Sequence, residues 1–199
     1  MAAASTDQIK RLALRARVCG LGQESGLPEA LRQAIDDADQ AKRLLSEDEL
    51  RRCCRWSGVE ADPLIRLQQE VPGLVDLARS ALLSEQPDLI RPGGKLYPET
   101  RARACWTDCF HFLRVSLYGA ALGRTQITDS EGMRALAELY ALLDVPVPAL
   151  LSALKHLSRH SVAAYTRLGG GDQSEALGTT LTHISNMIYK QMKEHDAAP

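Results

Sequence analysis

Aromatic residues make up only 5% of this 199-residue chain, and no stretch alternates apolar and polar residues in the manner of a half-buried strand. A β-sandwich or barrel is therefore not expected. No apolar run approaches the roughly 20 residues needed to cross a bilayer, and the first residues lack the apolar core of a secretory signal. Charge of either sign is not in excess: 24 Lys and Arg stand against 25 Asp and Glu, a formal net charge of -1. That balance argues against a nucleic-acid partner, which calls for a basic surplus on one face. The five cysteines, Cys19, Cys53, Cys54, Cys105 and Cys109, are odd in number and form neither a CxxC pair nor a finger spacing. Free thiols in a reducing compartment are expected. There is no nucleophile–base motif, and Gly169-Gly170-Gly171 lacks the lysine of a phosphate loop. An enzyme is not expected.

Ala and Leu at helical spacing are abundant. Ile9, Leu12, Ala13 and Ala16 mark a short helix over residues 7 to 19. It is basic (Lys10, Arg11, Arg15, Arg17) and reads as an element that meets a partner. The Gly20–Gly26 stretch follows as a linker, so residues 1–26 are expected to stand apart from a domain over 27–199. Pro28 opens a second helix carried by Leu31, Ala34, Ile35, Ala38, Ala41 and Leu45. Ser46 and Glu49 form a capping box for a third. Pro63 starts another, with Leu67, Leu74, Leu77, Ala78 and Leu82 as its apolar positions and Pro72 expected to kink or interrupt it. A turn-rich loop from Gln86 to Pro98 leads to the most informative helix. Its Ala102, Cys105, Trp106, Cys109, Phe112, Leu113, Leu117 and Ala120 form one wide apolar stripe. Thr128 with Glu131 predicts a second capping box, Pro146 and Pro148 a further break, and Asp172 with Glu175 the last helix. About eight helices with short loops and no internal repeat predict a soluble, all-α, globin-like helical sandwich with two N-terminal helices extending from the core.

The segment from Pro87 to Gly123 resembles the chromophore region of phycobiliproteins, most of all the allophycocyanin type. The residues that carry the likeness are Pro92, Gly93, Gly94, Lys95, Leu96 and Tyr97, then Cys105, Trp106, Thr107 and Asp108, then Leu113, Arg114, Leu117 and Tyr118, with no gap needed. Asp37 to Ser46, with Glu49 and Leu50, resembles the family's second N-terminal helix and its entry to the core. Leu139-Tyr140 and Val145-Pro146 match a later Tyr and turn. The likeness spans residues 28 to 195.

This resemblance implies an open-chain tetrapyrrole, a bilin of the phycocyanobilin type, joined through a thioether to Cys105. Asp108, one helical turn or about 4.5 Å further along the axis, would bond the pyrrole N–H groups. Such charge-assisted bonds contribute roughly 1.5–3 kcal/mol each. Arg101, Arg103 and Lys95, beside Tyr97, would meet the propionates, because Thr107 stands where the family commonly has an arginine. His111 and Phe112 replace the family's tyrosine pair. The resemblance further implies pairing with a phycobiliprotein-like subunit, as a homo- or heterodimer, through Asp39, Arg114 and Tyr118. It implies loading by a bilin lyase and assembly in the phycobilisome, peripheral on the cytoplasmic side of a cyanobacterial thylakoid. The expected role is light harvesting. The alternatives are an unpigmented adaptor or assembly protein and a reversible tetrapyrrole sensor or chaperone. His156 and His160, four apart, are expected to be solvated helix residues and not metal ligands, and haem on His111 is a distant option.

Overall fold

The computed structural model describes residues 6–197. Among them lie eight α-helices and no strand: α1 Thr6–Arg15, α2 Glu29–Gln40, α3 Glu47–Ser57, α4 Ala61–Glu85, α5 Glu99–Ala121, α6 Ser130–Leu142, α7 Val147–Arg167 and α8 Gln173–Asp196. The chain is all-α, as its periodicity predicts. Residues 1–5 of the expected N-terminal element lie outside the described residues.

Helix α4 packs along α7, α7 along α8, and α5 lies among α3, α4, α7 and α8. The two halves of α5 differ for that reason. Ala102, Cys105 and Cys109 are buried on one side of its first turns, whereas every residue from Phe112 to Ala121 is buried. The single stripe read from spacing thus describes only the first half. The second half runs through the centre, where Gly119 is needed: a Cβ there would stand 2.7 Å from the Arg124 carbonyl oxygen.

Helix starts and stops show where local chemistry decides. Ser46 accepts from the Glu49 N–H, and Glu49 reaches back to the Ser46 N–H, so the expected capping box is formed. At α6 the cap is Asp129 and not Thr128. The Asp129 carboxylate accepts from the Gly132 N–H at 2.6 Å, and the Thr128 hydroxyl instead meets His183 at 2.8 Å. Helix α4 continues through Pro72. Pro72 and Gly73 lie on the exposed side, where water can satisfy the carbonyl left without its intrahelical donor. Leu77, expected in the core, is 52% exposed on that same side.

Helix α2 ends at Gln40, earlier than the Leu45 that its spacing suggests. Lys42 takes a left-handed conformation with φ of 53°, which turns the chain before Ser46 restarts it. The two N-terminal helices precede the core and are tied to it: α1 lies along α6, and the end of α2 is held on α5 through Asp39.

Candidate pigment site

Cys105 and Asp108 both line one cavity of about 360 Å³, a size in the range of small-molecule and cofactor sites. Its walls come from three places. The first turns of α5 supply Thr100, Arg101, Ala104, Cys105 and Asp108; α6 supplies Leu136, Leu139 and Tyr140; the turn into α7 supplies Leu143, Val145 and Pro146. Apolar side chains dominate, with one thiol, one carboxylate and one guanidinium among them.

The Tyr140 hydroxyl donates to Asp108 Oδ2 at 2.8 Å. Asp108 is largely enclosed by protein yet keeps access to the cavity. Burial pushes its carboxyl up to about 6, against a smaller lowering by the Tyr140 bond. Removal from water penalises the anion more than one neutral hydroxyl can restore. Tyr140 itself is driven well above its ordinary value, by burial first and then by the Asp108 charge. Cys105 is 7% exposed. Cys105 and Cys109 are both free thiols; the Cys109 thiol is raised well above the ordinary range, by its hydrogen-bonding contact with Cys105 and by burial. Cys109 is core; Cys105 is the thiol that faces the cavity.

The expected cations are dispersed. Arg101 reaches the cavity, but its guanidinium is held by the Lys95 carbonyl at 3.1 Å and the Asp144 carbonyl at 2.7 Å. Lys95 pairs with Asp144 at 2.7 Å and lines a separate hollow under the Pro87–Gly94 loop. Arg103 is exposed and lies 3.6 Å from Glu99, its i,i+4 neighbour. Tyr97 is 47% exposed, ahead of a cis bond to Pro98. Neither Arg103 nor Tyr97 is among the residues that line the Cys105 cavity.

Asp39, Arg114 and Tyr118, which the resemblance assigns to a partner interface, are buried against one another in the same chain. Arg114 donates to Asp39 Oδ1 at 2.7 Å and to the Tyr118 hydroxyl at 2.6 Å, and the Tyr118 hydroxyl donates to the Arg43 carbonyl. Arg114 is 2% exposed and Tyr118 0%. The left-handed turn at Lys42 brings Asp39 back over α5, so the trio is an internal tie. His111 receives a hydrogen bond from Arg114 on its Nδ1 at 3.3 Å and is lowered to about 4 by burial and by the Arg114 charge. His156 is not solvated as expected: it is 8% exposed and meets Glu85 at 3.0 Å. No cluster of three His, Cys, Asp or Glu with metal-site geometry occurs among the described residues.

The resemblance matches Leu139-Tyr140 and Val145-Pro146 to a later tyrosine and turn but gives none of them, nor Leu136 or Leu143, a place on the cavity wall. A further signal was Tyr140 itself, since a buried tyrosine hydroxyl calls for a partner.

One thiol, one largely enclosed carboxylate and apolar walls thus meet on a single cavity, and comparison with known proteins places the chain. The family model described as "Phycobilisome protein" matches residues 33–188. The allophycocyanin alpha subunit of a Picosynechococcus species is 28% identical over 156 residues, covering 76% of this chain and 94% of that subunit. The C-phycocyanin-2 beta subunit of a Synechococcus species is 29% identical over 150 residues, 74% of this chain and 87% of that subunit. Allophycocyanin subunit beta-18 of a Nostoc species is 36% identical over 100 residues, 49% of this chain and 59% of that subunit. With most of its length matched by the family model and an all-helical fold around the Cys105 cavity, this chain belongs to the phycobilisome protein family.

Proposed function

We propose that this chain is a light-harvesting pigment carrier that holds a linear tetrapyrrole in the Cys105 cavity and passes excitation to neighbouring pigments. The observation that carries the reading is the convergence of one thiol and one carboxylate, a helical turn apart, on a single apolar-walled cavity. Cys105 would hold the pigment by a thioether. Asp108 would accept hydrogen bonds from pyrrole N–H groups. Leu136, Leu139, Leu143, Val145 and Pro146 would wall off its apolar surface. Arg101 is the one cation of the expected set on the cavity wall, so it is the propionate partner of choice. When bound, the pigment supplies absorption of visible light; the protein supplies rigidity, dryness and a counter-charge. A phycobiliprotein-like partner subunit, a bilin lyase and a place in a phycobilisome on the cytoplasmic side of the thylakoid belong to this reading.

A specific observation favours a second reading, an unpigmented adaptor of the same assembly. Thr107 replaces an expected arginine, Lys95 is neutralised by Asp144, and Arg101 is engaged by two backbone carbonyls. Co-expression with bilin synthesis and a panel of lyases decides between them. A zinc-fluorescent band on a denaturing gel, lost in Cys105→Ala, supports the carrier. Colourless protein with every lyase supports the adaptor. Colour that survives Cys105→Ala and disappears on denaturation points to reversible binding.

A further inference from the structure

Behind Asp108 lies a second, smaller cavity of about 110 Å³, room for about three waters. Asp108, Leu136 and Tyr140 line both cavities, so these side chains form the partition between them. The charged and titratable groups facing the inner side are Asp39 and Lys42 from the end of α2, His111 and Arg114 from α5, and Tyr140 from α6. Cys105 and Arg101 face the outer side. Ala16 and Val18, from the N-terminal segment, complete the wall of the inner cavity.

That segment is fastened closely. The Asp129 N–H donates to the Val18 carbonyl at 2.9 Å, and the Gly20 N–H to the Ile127 carbonyl at 2.7 Å. A bridge joins Cys19 to Thr128. Arg17 lies 3.7 Å from Asp129, the residue that also caps α6. Leu12, 7% exposed, anchors α1. The approach at Gly132 leaves no room: a Cβ there would lie 2.0 Å from the Arg17 carbonyl oxygen. Only glycine lets the start of α6 and the N-terminal segment meet at this distance.

We propose that residues 6–18 are a lid that seats Ala16 and Val18 on the inner cavity: docked, they limit the inner side of Asp108 to the few waters the cavity can hold, and lifted, they open it to bulk water. The segment thereby sets how dry the pigment site is. The pigment itself rests on the function proposed above; the lid does not, because it is tested in pigment-free protein. The geometry agrees with the electrostatics. Burial is the main cause of the raised Asp108 carboxyl, and water admitted next to Lys42 and Arg114 would favour the anion.

The test uses full-length Gly132→Ala, with Gly73→Ala as control, since a Cβ at that helical position meets nothing within 4 Å. Two quantities are read in pigment-free protein: trypsin cleavage after Lys10, Arg11, Arg15 and Arg17, and the titration of the Asp108 carboxyl carbon by NMR, assigned with Asp108→Asn. Gly132→Ala should be cut in the arm about tenfold faster, and its Asp108 midpoint should fall from about 6 towards the ordinary carboxylate range. Gly73→Ala should change neither. Should Gly132→Ala fail to fold, Leu12→Glu frees α1 without placing charge in the inner cavity and carries the same two readouts. A freed arm with an unmoved Asp108 midpoint overturns the proposal, as does an arm in Gly132→Ala that stays as protected as in the wild type. A chain that never takes up pigment would defeat the proposed function and leave the lid standing.

Discussion

Tyr140 on α6 holds Asp108 on α5 through a 2.8 Å hydrogen bond, and this contact joins the two helices that enclose the candidate pigment cavity. The bond favours the Asp108 anion, while burial disfavours it by more. In Tyr140→Phe the counterweight is lost, so the Asp108 midpoint should climb further above about 6. The protein should also lose about 1 kcal/mol of stability, the usual net worth of such a bond. Carboxyl-carbon NMR and urea unfolding measure the two effects.

Asp108 also makes stability depend on pH. Its folded value is raised above the ordinary one, so in the window from about 3.8 to about 6 the folded state binds a proton that the unfolded chain has released. Stability should therefore fall as pH rises through that window and level off above it. The full difference is about 2 kcal/mol after discounting for the residue's access to the cavity. Urea midpoints for Asp108→Asn should lack this component, and an unchanged slope in that variant would contradict the assignment.

Arg114 and Asp39 form a charge pair that is nearly inaccessible at both ends. Arg114→Met should cost about 3 kcal/mol, because the buried Asp39 is left with only the more distant Lys42 at 3.9 Å. Asp39→Leu with Arg114→Met should cost less than the sum of the single variants, since the double change leaves no orphaned charge. A double-mutant cycle in urea gives the coupling. A coupling near zero would mean that the pair does not form in solution.

Thiol chemistry should single out Cys105. Burial raises Cys19 and Cys54 to about 12 and Cys53 to about 11, and Cys109 is raised well beyond the ordinary range. Thiolate is the reactive form, so these four should resist iodoacetamide in native protein at pH 8. Cys105, the one that lines the cavity, should be modified first, as peptide mass spectrometry would show. Labelling of all five at one rate would indicate global opening instead.

The Ser46 capping box should register in acid. Glu49 is lowered to about 2, chiefly by its hydrogen bond to Arg43. Its contribution is present above the ordinary carboxylate value of 4.5 and is lost as pH falls through the interval from there to about 2. Glu49→Gln should be less stable than wild type at pH 7, with the gap closing on acidification. Ser46→Ala should cost about 1 kcal/mol at either pH. Thermal unfolding at pH 7 and pH 3 separates the two.

What the sequence by itself determined is whatever depends on near neighbours in the chain. Helical spacing and the Ser46–Glu49 box are local hydrogen-bond and packing rules, and they place eight helices without reference to the fold. The one-turn spacing of Cys105 and Asp108 is equally local, so their shared face was legible. Three-dimensional packing decided the rest. Which helix would roof the cavity, that Tyr140 would reach across to Asp108, and that Asp144 would take Lys95 are contacts between residues 32 and 49 positions apart, which no local period encodes. The same holds for Asp39, which meets Arg114 across 75 positions because a left-handed turn at Lys42 redirects the chain. Sidedness was another tertiary outcome: Pro72 and Leu77 share an exposed face of α4, so a residue that breaks helices is tolerated and a core-type residue is left in water. Local chemistry chose the elements; burial of their apolar faces against one another chose the neighbours.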